Sequence, residues 1–181
     1  VNSSGGIGSD VTGVGTARQW TSGTNYGGDK AIFAFGTTGS RTNVSNLVNN
    51  SGVVATDTTG VGTNRSQLGS TKYGSNGQAL FAFGSTGDYS VTNLSNKVSS
   101  SGVVASDTAA VSGAVARSAC GGAGYGVGLA IFAYGTTGSF TNVSNKVNFE
   151  GVVQSSSTGV GTARTAIAAA SYGGNKAIFA Y

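Results

Sequence analysis

Apolar and small residues return along this chain at fixed intervals, separated by turn-forming stretches. The run Tyr26-Gly-Gly-Asp-Lys-Ala-Ile-Phe-Ala-Phe-Gly36 recurs as Tyr73-Gly-Ser-Asn-Gly-Gln-Ala-Leu-Phe-Ala-Phe-Gly84 and as Tyr125-Gly-Val-Gly-Leu-Ala-Ile-Phe-Ala-Tyr-Gly135. A fourth copy, Tyr172-Gly-Gly-Asn-Lys-Ala-Ile-Phe-Ala-Tyr181, closes the chain. The four tyrosines stand 47, 52 and 47 residues apart. A period of that length marks a solenoid, a propeller or another array of units that cannot bury their apolar faces alone.

Within one period the pattern reads as four short strands. In the second copy, runs at 44–48 and 53–56 flank Asn49-Asn-Ser-Gly52, a glycine-containing link suited to a hairpin. A turn-rich connector, Asp57-Thr-Thr-Gly-Val-Gly-Thr63, leads past Arg65 to a strand ending at Tyr73. A tight turn at 74–77 and a strand at 79–83 complete the unit. Residues 31–35 alternate small and large apolar side chains, where a strand wet on one side would alternate apolar with polar. Burial of both strand faces is therefore expected, with the small side chains of 166–170 on the crowded inner strand. The expectation is an all-β, four-stranded repeat, grouped as units 1–35, 36–83, 84–134 and 135–181 of a single repeat domain.

Glycine follows the aromatic strand at Gly36, Gly84 and Gly135, and pairs of glycines sit in the connectors at 13/15, 60/62 and 159/161. Such fixed places point to positive φ or close backbone approach. Two insertions interrupt the period, at 88–91 and 110–113. Both fall in loops, where added length costs little, and both are the first candidates for a specialised surface. Val1 aligns with Val48, so the chain opens mid-repeat without a leader. It reads as a piece of something longer, whose start would supply a strand to the unit begun at its end.

Composition narrows the picture. Of 181 residues, 38% are hydrophobic and only 9% charged, with 32 glycines and no proline, methionine or histidine. The net charge of +4 is spread too evenly for the clustered basic stripe of a nucleic-acid binder. No apolar run reaches the length of a membrane-spanning helix, so no membrane partner is expected. The single Cys120 aligns with Leu68 and Ile167, reads as a small buried hydrophobe, and has no histidine to activate it.

The recurring polar residues are Arg18, Arg65, Arg117 and Arg164, each eight residues before its tyrosine, and Asp10, Asp57 and Asp107, replaced by Ser156 in the fourth copy. A structural role is expected, with the aspartates holding glycine-rich turns and the arginines bonding carbonyls or an aspartate. One aspartate per loop gives a divalent ion too few oxygens, so no metal and no cofactor is expected. Candidate binding residues are Tyr26, Tyr73, Tyr125 and Tyr172, which would stack on sugars if they face outward. Asp88 and Tyr89 of the first insertion join them. Asn43, Asn93 and Asn142 match glycosylation acceptors but lie in a predicted strand.

At Gly15-Thr-Ala-Arg18, followed by small residues, a turn and Ala31-Ile-Phe-Ala-Phe-Gly36, the order of parts resembles the kelch repeat. The resemblance spans all four units and implies a β-propeller of about four four-stranded blades, or part of a larger ring. It departs from that family in placing paired glycines before the aromatic strand and in lacking its tryptophan, since Trp20 occurs once, elsewhere. The run from Asn46-Leu-Val through Gly52-Val-Val-Ala-Thr-Asp-Thr-Thr-Gly-Val-Gly-Thr63 is similar to repeats of predicted structural proteins of tailed bacteriophages, notably those of cyanobacteria. That likeness implies a virion or extracellular appendage location. The expected function is a non-catalytic structural or adhesive module whose partners are other virion or appendage proteins, or further copies of itself. The alternative is a lectin-like propeller recognising host surface glycans.

Overall fold

A computed structural model describes all residues, 1–181, and the chain forms no helix. Its strands are β1 (Ser22–Tyr26), β2 (Lys30–Ala34), β3 (Ser45–Val48), β4 (Gly69–Tyr73), β5 (Gln78–Ala82), β6 (Ser85–Gly87) and β7 (Ser90–Val91). They continue as β8 (Ser95–Val98), β9 (Gly121–Tyr125), β10 (Leu129–Ala133), β11 (Ser144–Val147), β12 (Val153–Ser157), β13 (Ala168–Tyr172) and β14 (Lys176–Ala180). The main sheets are the antiparallel meanders β1-β2-β3, β4-β5-β8, β9-β10-β11-β12 and β13-β14, and β6-β7 is a small extra hairpin. Bridges Val48↔Val54 and Ser45↔Thr58 give the first sheet a fourth, fragmentary strand, and Val98↔Val104 and Ser95↔Thr108 do the same in the second.

Local chemistry explains the hairpins. Gly27 and Gly28 take φ of 60° and 85°, left-handed conformations that let the three-residue loop 27–29 reverse the chain between Tyr26 and Lys30. In the other hairpin, the Asn49 side chain accepts bonds from the backbone N–H groups of Ser51 and Val53, at 2.9 and 3.0 Å. The sheets are grouped differently from the sequence units. Phe35 N–H donates to Val44 O and Thr42 N–H to Gly36 O, which folds the 36–44 link back so that β3 pairs with β2. The glycine-rich connector, rather than that link, carries the chain to the next sheet. Each sheet therefore takes its first hairpin from one unit and its later strands from the next.

The core lies between sheets. Tyr26, Ile32 and Phe35 of the first sheet meet Leu68, Ala79 and Phe81 of the second. Leu80, Ala82 and Phe83 of the second meet Cys120, Phe132 and Val147 of the third. Alternate residues of β5 thus face opposite neighbours, as the two-residue period of a strand requires. Each junction repeats one aromatic pair, with ring centroids 5.6 Å apart for Phe35–Phe81, 5.6 Å for Phe83–Phe132 and 6.0 Å for Tyr134–Phe179. Turn-to-turn bonds also repeat, from Gly27 N–H to Gly77 O, Gly74 to Gly128 and Gly126 to Asn175.

Burial on both strand faces holds for β5 and fails at the two outer sheets. Phe33 in β2 is 46% exposed, because nothing packs on that side of the first sheet. The small side chains of 166–170 and the rest of β13 are largely exposed for the same reason, and not enclosed as expected. The glycine expectation is met after the aromatic strand: Gly84 has φ 105°, and a Cβ there would lie 2.9 Å from Ser66 O and Leu68 Cγ. The aromatic residue just before it was not expected to be unusual. Phe35, Phe83 and Tyr134 all have φ of 63–65°, a costly conformation for an aromatic residue.

Candidate functional site

The recurring charges build a buried hub in the second and third sheets and a more open counterpart in the first. In the second sheet, the fully buried Arg65 donates from Nη1 to Phe83 O (3.0 Å) and Leu94 O (2.9 Å), and from Nη2 to Asn96 Oδ1. Asn96 in turn donates to Ala105 O (3.0 Å) and Asp107 Oδ1 (2.9 Å). Asp107 accepts from the Thr63 backbone N–H (2.9 Å) and hydroxyl (2.6 Å), tying down the connector that precedes the sheet. Its other neighbour is Arg65 Nη2 at 3.7 Å. Burial pushes the Arg65 guanidinium down to about 10, and Asp107 opposes that shift. Burial alone would raise the Asp107 carboxyl, but bonds from Thr63 and Asn96 outweigh it and hold the group below its usual range.

The hub repeats with variations. Arg18 donates to Asn46, and Asp57 holds Thr16, whose hydroxyl is the largest influence keeping that carboxyl low. Arg117 donates to Asn145 and to Phe132 O, while Ser156 replaces the aspartate and accepts from Val115 N–H at 3.0 Å. Arg164 bonds Thr162 O at 3.2 Å. Asp10 is exposed and its side chain makes no bond. The arginines also cross the junctions: Arg65 lies over the Phe35 ring (4.8 Å), Arg117 over Phe83 (4.0 Å) and Arg164 over Tyr134 (5.6 Å). This arrangement leaves Asp57 and Asp107 engaged in holding connectors, and no three His, Cys, Asp or Glu side chains come together.

The asparagines of the hub were missed in the sequence, although Asn46, Asn96 and Asn145 recur at one place in the repeat. The acceptor-like Asn43, Asn93 and Asn142 stand at a different place in the repeat. Their side-chain amides donate to the connector carbonyls of Gly62 (2.6 Å), Ala114 (3.1 Å) and Gly161 (2.9 Å), which gives them a structural role in holding the connector.

The four tyrosines do not share one environment. Tyr26 and Tyr73 are buried, and their rings fill the space that a Cβ on Gly102 or Gly151 would enter. Burial raises the Tyr73 hydroxyl. Tyr125 is half-buried and Tyr172 exposed. Tyr26, Tyr73 and Tyr172, with Asn25, Lys72 and Ser171, line a glycine-rich cleft of about 600 Å³ that runs along the hairpin turns of all four sheets. Cys120 is buried in the core, a free thiol that burial pushes up.

A second cleft, of about 430 Å³, lies at the opposite end of β1 and β4. One wall begins with a backbone ladder in which Gln67 N–H donates to Trp20 O, Ala119 to Gln67 and Ala166 to Ala119. These four residues hold φ of 52–58°. The other wall is the β6-β7 hairpin, which carries Asp88 and Tyr89. Arg41, from the link after β2, braces this hairpin, donating from Nη2 to Ser85 Oγ (3.1 Å) and Asp88 Oδ1 (3.3 Å). Trp20 is 54% exposed and Tyr89 fully exposed. The sequence singled out Asp88 and Tyr89 but not Trp20 or Arg41. The available signal was that Trp20 is the one bulky aromatic at a place otherwise filled by Gln67, Ala119 and Ala166. Neither a scan against protein-family models nor a search of curated proteins finds a match to this chain.

Proposed function

We propose that this chain is a non-catalytic structural or adhesive module of a virion or extracellular appendage, its sheets serving as successive blades of a kelch-like β-propeller or of part of one. The observation that supports this reading is the repeated junction. Three times in succession an aromatic pair, an arginine over a ring and a turn-to-turn bond join one sheet to the next. Repetition of that kind makes a stiff support of near-identical units, on which loops can vary without disturbing the core. Catalysis finds little to work with: the lone thiol is buried and two aspartates hold turns. The phage resemblance of the repeats supports the location.

Partners are other virion or appendage proteins, or further copies of the chain. Phe33 holds the place of Phe81, Phe132 and Phe179 without a ring opposite it. Tyr181 holds the place of Phe35, Phe83 and Tyr134 and is almost fully exposed. A further sheet of the same kind fits either face. The test is immunogold labelling of the particles or appendages of the source with antibodies to this chain. Gold on the outer surface is expected, and gold confined to the cell interior would contradict the reading. A second reading, glycan recognition, is favoured by the Trp20–Tyr89 cleft.

A further inference from the structure

We propose that the cleft running from Trp20 past the β6-β7 hairpin to Ser118 and Thr136 at the edge of the third sheet binds a neutral pyranose residue of a glycan, with Trp20 and Tyr89 supplying aromatic faces and Asp88, Arg41 and Gln67 the hydroxyl partners. This deepens the attachment side of the function above, naming a ligand class and a site for it.

The first argument is asymmetry. The junctions share their cores, and short reversals recur at Thr37↔Arg41 and Thr136↔Phe140, but only here does an aromatic at the ladder place share a cleft with the lengthened β6-β7 hairpin. Ala119 and Ala166 hold the same left-handed backbone in the later copies, so the ladder does not need an indole. At Trp20 a large ring accepts an uncommon conformation and is left half in water; at Tyr89 a phenol with φ 61° is left fully in water. Neither ring belongs to a core cluster.

The second argument is chemical fit. A pyranose offers an apolar face of C–H groups and a rim of hydroxyls, each able to donate and accept. Aromatic rings with a wet edge match the face. Asp88 matches the rim: Arg41 occupies one oxygen at 3.3 Å, and the carboxylate is 92% exposed, leaving acceptor positions open. Arg41 is itself braced by Ser85, so this acceptor is held in place before a ligand arrives. Gln67 adds an amide that both donates and accepts. The volume falls within the roughly 300–1,000 Å³ of small-molecule sites.

The third argument is charge. One arginine and one aspartate cancel, so the cleft has no surplus positive charge to favour a phosphate, sulfate or sialate over a neutral sugar.

Trp20 is the only tryptophan, so its fluorescence reports this cleft alone. The full chain is titrated with glucose, galactose, mannose and N-acetylglucosamine, and then probed on an array holding neutral and acidic oligosaccharides. A saturable emission change with at least one neutral sugar is expected, with array binding of glycans that contain it. Y89A should weaken binding about tenfold, a loss of about 1.4 kcal/mol. W20A should abolish array binding while the melting temperature stays at the parent value, since alanine already occupies that place in two copies. The proposal is overturned by no saturable change up to about 100 mM sugar together with a blank array. It is equally overturned by binding that survives the W20A/Y89A double variant, or by binding confined to acidic glycans. Outer-surface gold labelling with a blank array would retain the structural function and remove only this site.

Discussion

The pentapeptide Lys-Ala-Ile-Phe-Ala occurs twice, as β2 and as β14, and the two copies lead different lives. Ile32 of β2 is fully buried, whereas Ile178 of β14 is 53% exposed. The same contrast separates Arg65 and Arg117, fully buried in the second and third sheets, from Arg164 in the last. Five identical residues can propagate the same hairpin, but the apolar surface they bury depends on the sheets alongside. Burial here belongs to the neighbourhood and not to the motif, as expected for units that depend on their neighbours.

The comparison breaks most visibly at the hubs. Arg65→Ala strips Asn96, Asp107 and two carbonyls of their shared donor, and should cost about 3–5 kcal/mol in urea denaturation. Arg164→Ala, with one side-chain bond to lose, should cost less than about 1 kcal/mol. Equal losses would show that the inner and outer sheets are held alike. The aromatic pairs give the next contrast: Phe81→Ala removes a ring buried on all sides and should cost about 3–5 kcal/mol. Its counterpart Phe33→Ala should stay below about 1 kcal/mol in a dilute monomer.

A smaller effect separates the hubs by pH. An aspartate in the unfolded chain titrates near 3.8, and Asp107 in the fold titrates lower. Between those values the unfolded chain binds more protons. The stability that Asp107 supplies is therefore complete above about 3.8 and lost as pH falls through its folded value. Asp107→Asn should flatten the acid limb of the stability curve. At neutral pH a parallel Asp10→Asn change should alter stability by less than about 0.5 kcal/mol, since the exposed Asp10 side chain makes no bond. Smallest of all, W20A should change stability by no more than about 0.5 kcal/mol, which would mark the cleft as dispensable to the array.

Much of this fold was legible in the sequence. The period, the strand that ends at each tyrosine, the 74–77 turn and the strained glycine at Gly84 all follow from residues acting on their immediate neighbours. The grouping of strands into sheets was not legible, because the 36–44 link and the 57–68 connector are both short and rich in glycine, serine and threonine. Which of them folds back is decided by bonds such as Thr42 N–H to Gly36 O, which the composition of either link does not specify. The exposure of Phe33 was hidden for a different reason: its own strand pattern equals that of the buried Phe81. The cleft was half legible. An insertion announces Tyr89, but Trp20 meets it only through a ladder between residues 47 positions apart, and Arg41 through a link that pairs across the junction.

Residue-level hydrogen exchange of the dilute chain tests the dependence of burial on neighbouring sheets most directly, because β2 and β14 supply the same sequence in two settings. The account predicts that amides of β5 exchange most slowly, those of β2 next, and those of β14 fastest by a wide margin. Equal protection at Ile32 and Ile178 would contradict it, showing that the pentapeptide and its hairpin, not the neighbouring sheet, set the local stability.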